Sequence, residues 1–269
     1  MKIIQTANKI TKELSSKKKI GFIPTMGCLH EGHISLIKKA KQKKLVTVVS
    51  IFINPFQFNN KKDLKKYPKQ ITKDLKICRE NNVNYVFLPN KKEIYPEKFI
   101  ILNNEIHAFK KHMEGKFRPG HFEGVIEVIK RLLKIIKPNY IFLGKKDYQQ
   151  LILIKKYLLS IKSKIKVIAC STIRSVNGVA LSSRNKLLDK SSFIIAEKIY
   201  NYLKKRKKLI IKSKNKSIFL EEIKKIGVKK IEYLKTFNVF TLKETNTLSS
   251  YSKIFIAYYL NGVRLIDNL

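Results

Sequence analysis

Residues 24–33, Pro24-Thr25-Met26-Gly27-Cys28-Leu29-His30-Glu31-Gly32-His33, place two imidazoles three positions apart among two glycines. The apolar run Lys19–Pro24 leads into them as a strand, and a helix is expected to begin near His30–His33. The N-terminus of a helix that follows a strand offers unpaired N–H groups to an anion, and the two histidines add donors to that end. A metal pair or two surface histidines would use the same residues. With no third ligand nearby, an i, i+3 pair makes a poor closed zinc site.

Four further segments have comparable chemistry. In Ser50–Phe58, Asn54 and Gln57 follow the end of an apolar strand. Their amides could hold hydroxyls or carboxylates without adding charge, or could simply cap a proline turn. Lys116-Phe117-Arg118-Pro119-Gly120-His121-Phe122-Glu123-Gly124 reads as a turn that opens a helix. In Gly144-Lys145-Lys146-Asp147-Tyr148-Gln149-Gln150, Lys146 could neutralise a phosphate, and Asp147 could cap a helix or help place Mg²⁺. Gln150, one turn further, returns to the same edge. In Ile173–Asn185, Ser182, Ser183 and Arg184 stand on a loop hinged at Gly178, which suits a mobile phosphate clamp. Each segment alone is weak. Together they supply neutral donors and cations suited to a nucleotide triphosphate.

Composition sharpens this selection. The chain has 269 residues and a formal net charge of +39, yet only seven of its 58 cationic residues are Arg and only ten residues are Gly. Lys, Ile and Asn have AT-rich codons, so the lysines read as the imprint of codon bias spread over solvated helix faces, not as a nucleic-acid surface. In a chain so short of Gly and Arg, the positions that keep them need a reason. Eight of the glycines, together with Arg118, Arg174 and Arg184, fall in or beside the segments above. Glycine permits close backbone approach, and Arg makes bidentate contacts that Lys cannot.

The elements that must position these residues alternate. Strands are expected at Lys19–Pro24, Leu45–Ile53, Asn84–Leu88, Tyr140–Leu143 and Lys166–Ala169. Helices are expected at Glu31–Lys44, Leu64–Asn81, Gly124–Ile136 and Tyr148–Ser160. That order predicts an α/β fold with a parallel sheet and right-handed crossovers. The pattern then changes. Helices Ser191–Lys208 and Ser217–Ile226, joined by a polar connector at Lys212–Lys216, accompany strands Lys229–Phe237 and Ile254–Leu260 in a smaller α+β unit. The division is placed at residues 1–172 and 173–269, with a hinge near 173–180.

No apolar run is long enough to span a bilayer, and residues 1–6 show no secretory signal, so no membrane partner is expected. Cys28, Cys78 and Cys170 form neither a disulfide framework nor a zinc cluster. A reduced cytoplasmic protein is the expectation.

The segments PTMGCLHEGH, VVSIFINPFQF, RPGHFEGV, KKDYQQL and NGVALSSRN, with the closing GVRLIDNL, resemble the pantothenate synthetase (pantoate–β-alanine ligase) family over essentially the whole chain. The resemblance implies a Rossmann-like parallel sheet with helices on both faces, plus a smaller C-terminal α+β lid domain, in a homodimer. It implies an ATP- and Mg²⁺-dependent condensation of pantoate with β-alanine through pantoyl adenylate, with no specific nucleic-acid partner. Met26, Gly27, Cys28, Leu29, His30, Glu31, Gly32 and His33 would form the ATP loop, with His30 and His33 on the phosphates and His33 as proton donor. Asn54, Gln57 and Gln150 would hold pantoate. Gly144, Lys145, Lys146 and Asp147 would line the nucleotide, with Lys146 on its phosphates. Ile173 would touch the adenine side, and Leu181, Ser182, Ser183 and Arg184 would close over the triphosphate. Asp74 is the candidate Mg²⁺ ligand.

The chain departs from the family pattern at Lys145, where Glu is usual, and at Asn177, where Asp is usual. Lys73 also stands before Asp74 where an acid often occurs. Two rivals remain: another adenylyl-transferring enzyme of the tRNA-synthetase type, for which the chain has no room for a tRNA-binding domain, and a basic nucleic-acid-binding protein that has lost catalysis.

Overall fold

The computed structural model describes residues 1–17, 19–97, 107–241 and 243–269. The chain divides into two compact units, Met1–Thr172 and Ile173–Leu269.

The first unit is built on strands β1 (Lys2–Ile4), β2 (Ile20–Thr25), β3 (Val46–Ile51), β4 (Tyr85–Phe87), β5 (Tyr140–Gly144) and β6 (Lys166–Cys170). They form one parallel sheet in the order β1-β4-β3-β2-β5-β6. Its helices are α1 (Ala7–Ser15), α2 (Glu31–Gln42), α3 (Lys61–Lys66), α4 (Ile71–Glu80), α5 (Lys91–Ile94), α6 (His107–Lys110), α7 (Met113–Phe117), α8 (His121–Ile136) and α9 (Tyr148–Ser160). Strands buried on both faces read as unbroken apolar runs, and β2 and β3 do so. Ile23, Val49 and Val86 pack on one face against Leu36, Ile37 and Ala40 of α2 and Cys78 of α4. Their neighbours Phe22, Val48 and Ile141 alternate to the opposite face and are equally buried. The α/β architecture expected from the alternating pattern is the one observed.

From β2 the chain moves outward through β3 and β4 on one side, then through β5 and β6 on the other, so the strand order reverses between β2 and β5. Those two strands pair only at Gly21↔Tyr140 and Phe22↔Ile141, although β2 runs on to Thr25 and β5 to Gly144. Beyond Phe22 they part at their C-terminal ends. Pro24, which has no N–H for a ladder, falls in this parted stretch, while β2 remains paired with β3 as far as Thr25↔Ile51. A reversal point that opens at the carboxyl ends of the strands is where open α/β sheets bind ligands.

In the second unit, β7 (Lys230–Asn238), β8 (Lys243–Glu244), β9 (Ser252–Leu260) and β10 (Val263–Asn268) form an antiparallel sheet in the order β10-β9-β7-β8. Helices α10 (Lys190–Lys212) and α11 (Ser217–Lys225) cover it, with Ile199, Leu203, Ile210 and Ile223 packed against Leu234, Ile254 and Ile256.

Several boundaries differ from expectation. The helix expected over Leu64–Asn81 is two helices, because Pro68 forces Tyr67 into extended backbone and ends α3. Helix α8 begins three residues early, behind Gly120 in a left-handed conformation. Helix α10 runs on to Lys212, drawn by the burial of Ile210 and Ile211. Strands β1 and β10 and helix α1 were not foreseen. The three residues of β1 are too few to show a period. β10, Val263-Arg264-Leu265-Ile266-Asp267-Asn268, carries polar residues that hide its strand period until β9 pairs with them. No helix among the described residues is long and apolar enough to cross a membrane.

Candidate active site

The turn after β2 is shaped by its own backbone bonds. Thr25 Oγ1 donates to the Ser50 carbonyl at 2.7 Å and accepts from Gly27 N–H at 3.1 Å. Gly27 and Cys28 then both take left-handed φ, +78° and +52°. The Cys28 and Leu29 N–H groups turn inward to the carboxylate of Asp74, at 2.8 and 2.7 Å. Cys28 is fully buried, and Gln70 Nε2 approaches its sulfur at 2.9 Å.

His30 caps α2. Its Nδ1 accepts from Gly32 N–H at 3.1 Å, and the Nδ1 of His33 accepts from His30 N–H at 3.3 Å, with ring centroids 4.2 Å apart. Both Nδ1 atoms act as acceptors, so the hydrogen-bond pattern assigns the proton of each neutral ring to Nε2. Burial, the adjacent His30 and then the Lys146 ammonium hold His33 down at about 3, so it is an uncharged donor at neutral pH. Glu31 is exposed in the first turn of α2, where an acid suits the helix dipole.

The turn after β3 is locked more tightly. Asn54, 1% exposed, accepts from Phe56 N–H and the Tyr95 hydroxyl, and donates to the Gly124 carbonyl at 2.9 Å and to Gln57 Oε1 at 3.3 Å. Helix α8 can lie this close only because residue 124 is glycine: a Cβ there would stand 2.2 Å from the Phe56 carbonyl oxygen. Gln57 Nε2 reaches Met26 Sδ at 2.6 Å, which ties this turn to the one after β2.

The Gln57 carbonyl is itself held from behind. His121 Nδ1 lies 2.8 Å from it and Arg118 Nη2 3.4 Å. Arg118 Nη1 sits 3.1 Å from His121 Nε2 and 3.3 Å from Glu114 Oε2. An Arg can only donate, so His121 accepts at Nε2 and gives its Nδ1 proton to the Gln57 carbonyl. This explains the RPGHFEGV segment, whose role the sequence left open.

After β5, Lys146 and Asp147 pair at 3.6 Å, with the lysine mostly covered and the acid half exposed. Gln149 is structural: it donates to the Phe109 and His112 carbonyls and accepts from Glu114 N–H. Gln150, one residue on, is half-buried, and its amide has no partner among the described residues. The first unit thus gathers Met26–His33, Asn54, Gln57 and Gly144–Gln150 at one edge of its sheet. Tyr95, Glu114, Arg118 and His121 support them. Of these four, Arg118 and His121 alone lay in a segment singled out for its Arg and Gly content.

Asp74, expected as a Mg²⁺ ligand, is 1% exposed, and each of its oxygens accepts one backbone N–H group. Among the described residues no three His, Cys, Asp or Glu side chains gather to hold an ion.

In the second unit, Ile173 accepts from Leu181 N–H at 2.9 Å, closing a loop over residues 173–181. Arg174 anchors this loop. It is bidentate to Asp267 at 2.7 and 2.9 Å, donates to the Gly178 and Asn268 carbonyls, and stacks on Tyr200. Ser182 Oγ accepts from Arg184 N–H, while Ser183 is buried and Arg184 half-buried. Asn177 donates to Glu197 at 2.8 Å. An Asp at 177 would bring two carboxylates together, which gives this departure from the family pattern a local reason.

A family model described as pantoate-beta-alanine ligase matches residues 1–269. The pantothenate synthetase of Francisella philomiragia is 41% identical over 99% of this chain and 95% of its own. A crystal structure of pantoate-beta-alanine ligase from Francisella tularensis, complexed with beta-gamma ATP and beta-alanine, matches with a TM-score of 0.86 and 39% identity. It covers all of this chain and 97% of its own. The Thermus thermophilus pantothenate synthetase structure matches with a TM-score of 0.89 and 30% identity, over all of this chain and 99% of its own.

Proposed function

The chain belongs to the pantoate–β-alanine ligase family, and from that premise we propose that it joins pantoate to β-alanine using ATP. Pantoate's carboxylate attacks the α-phosphorus and expels pyrophosphate. The amine of β-alanine then attacks the acyl carbon of pantoyl adenylate and expels AMP, leaving pantothenate.

One observation carries the reading: two imidazoles of fixed tautomer at the start of α2, beside Lys146, where β2 and β5 part. A carboxylate approaching a triphosphate needs donors already in place to take up charge as it develops. His30 and His33 supply Nε2–H donors, His33 uncharged at neutral pH, and Lys146 supplies positive charge. Neither Cys28, which is buried, nor any Ser in the turns is placed as a nucleophile, in keeping with direct attack by the substrate.

In this reading Gln57 and Gln150 bind pantoate, with Asn54 holding Gln57 in place. Gly144, Lys145, Lys146 and Asp147 line the nucleotide. Ile173 serves the adenine, and Leu181, Ser182, Ser183 and Arg184 serve the triphosphate. Residues 173–180 act as a hinge and the second unit as a lid that keeps water from the adenylate. A divalent cation, when bound, would neutralise phosphate charge. Among the described residues no side chains cluster to hold it, so Mg²⁺ would be held by phosphate oxygens and water. A homodimer in the cytoplasm completes the proposal.

The test supplies ATP and Mg²⁺ with pantoate and β-alanine, singly and together. AMP is expected only when both acid and amine are present, and pantoate alone should release pyrophosphate in about one equivalent. AMP formed without pantoate would refute the assignment.

A further inference from the structure

We infer that Asp74 is a positioning residue that fixes the Met26–His30 turn through its backbone, and that it is not a ligand for a divalent cation. The inference rests on the assignment of that turn to ATP.

Asp74 lies in the first turn of α4, 1% exposed, and each of its oxygens accepts one backbone N–H, from Cys28 and from Leu29. Those amides converge in a tight turn that holds both Gly27 and Cys28 at positive φ, and successive N–H groups in such a turn form a concavity for an anion. Such a nest commonly receives a phosphate. Here the protein's own carboxylate fills it from the buried side. Cys28 carries a Cβ in a region that such residues seldom adopt, and the charged acceptor is what holds it there. The fit is close: a Cβ on Gly27 would stand 2.9 Å from Asp74 Oδ2.

A cation at this carboxylate would face the positive ends of two N–H dipoles. Its sequence neighbour, Lys73, is an exposed cation. The ATP turn is therefore set before nucleotide arrives, and the imidazole pair that follows it is presented in a fixed place.

Hydrogen exchange on the ligand-free, metal-free protein tests this directly. The Cys28 and Leu29 amides should be protected in the wild type. Protection should fall about tenfold or more in Asp74→Asn, which keeps the shape but turns an NH₂ toward one of the two donors. In the same variant the KM for ATP should rise by about tenfold or more, with the KM for pantoate and the Mg²⁺ concentration for half-maximal pyrophosphate release unchanged. Wild-type amides that exchange freely would overturn the inference, as would a Mg²⁺ requirement that rises in step with the loss of activity. A wild type with protected amides that makes no pyrophosphate from ATP and pantoate would uphold the clamp while refuting the ligase reading.

Discussion

His33 offers the most quantitative prediction. In the unfolded chain its imidazole titrates near 6.5, whereas in the fold it is held at about 3. A folded value below the unfolded one means that the native state binds fewer protons. The contribution is therefore present above pH 6.5 and is lost as pH falls through the window between 6.5 and 3. Between pH 7 and pH 5 the unfolded state gains most of one proton that the native state refuses, which works out at about 2 kcal/mol of stability lost on acidification. His33→Gln removes the titrating ring and keeps an amide able to reach the His30 N–H. Urea unfolding of both proteins at pH 7 and pH 5 should show the wild type losing about 2 kcal/mol more than the variant. Its ring protons should hold one NMR shift down to about pH 4. Equal losses in the two proteins, or a ring that titrates near 6.5, would refute the picture of a neutral donor held beside His30 and a lysine.

Other outcomes follow from the same contacts. Gly124→Ala should cost about 3 kcal/mol by driving α8 off the Asn54–Gln57 turn, measured by thermal or urea unfolding. His121→Phe should leave the Gln57 carbonyl without its main donor, at about 1–3 kcal/mol; the KM for pantoate should rise more than that for ATP. Arg184→Ala should lose far more adenylate formation than pantoate affinity, read by pyrophosphate release against pantoate binding. Asn177→Asp should set a second carboxylate against half-buried Glu197 and lower stability by less than about 1 kcal/mol, an effect that salt should weaken.

The parallel sheet was legible because β2, β3 and β5 are buried on both faces and so are spelled in unbroken apolar residues. The turns gathered at the sheet edge were legible where glycine and arginine persist in a lysine-rich chain. What escaped is instructive. The break at Pro68 was written in the sequence but overruled by the apolar spacing on either side. β1 and β10 are too short or too polar to announce themselves, and they exist because a neighbouring strand supplies their pairing. The roles of Asp74, His121 and Gln149 depend on partners 35 to 64 residues away, and no local spacing encodes such a contact. The inward turn of the Cys28 and Leu29 N–H groups was equally hidden, since it depends on the buried carboxylate of Asp74, which lies 45 and 46 residues on.

The tie between Arg174 and Asp267 spans 93 residues, and Ile254 exchanges two backbone bonds with Leu269. During synthesis the first unit can close as soon as Thr172 has left the ribosome. The second cannot be completed until its final strand has emerged, so α10 and α11 must wait with their apolar faces uncovered. Loss of β10 would thus leave a finished first unit attached to an unfinished second one, and such a product should be cleared by proteases.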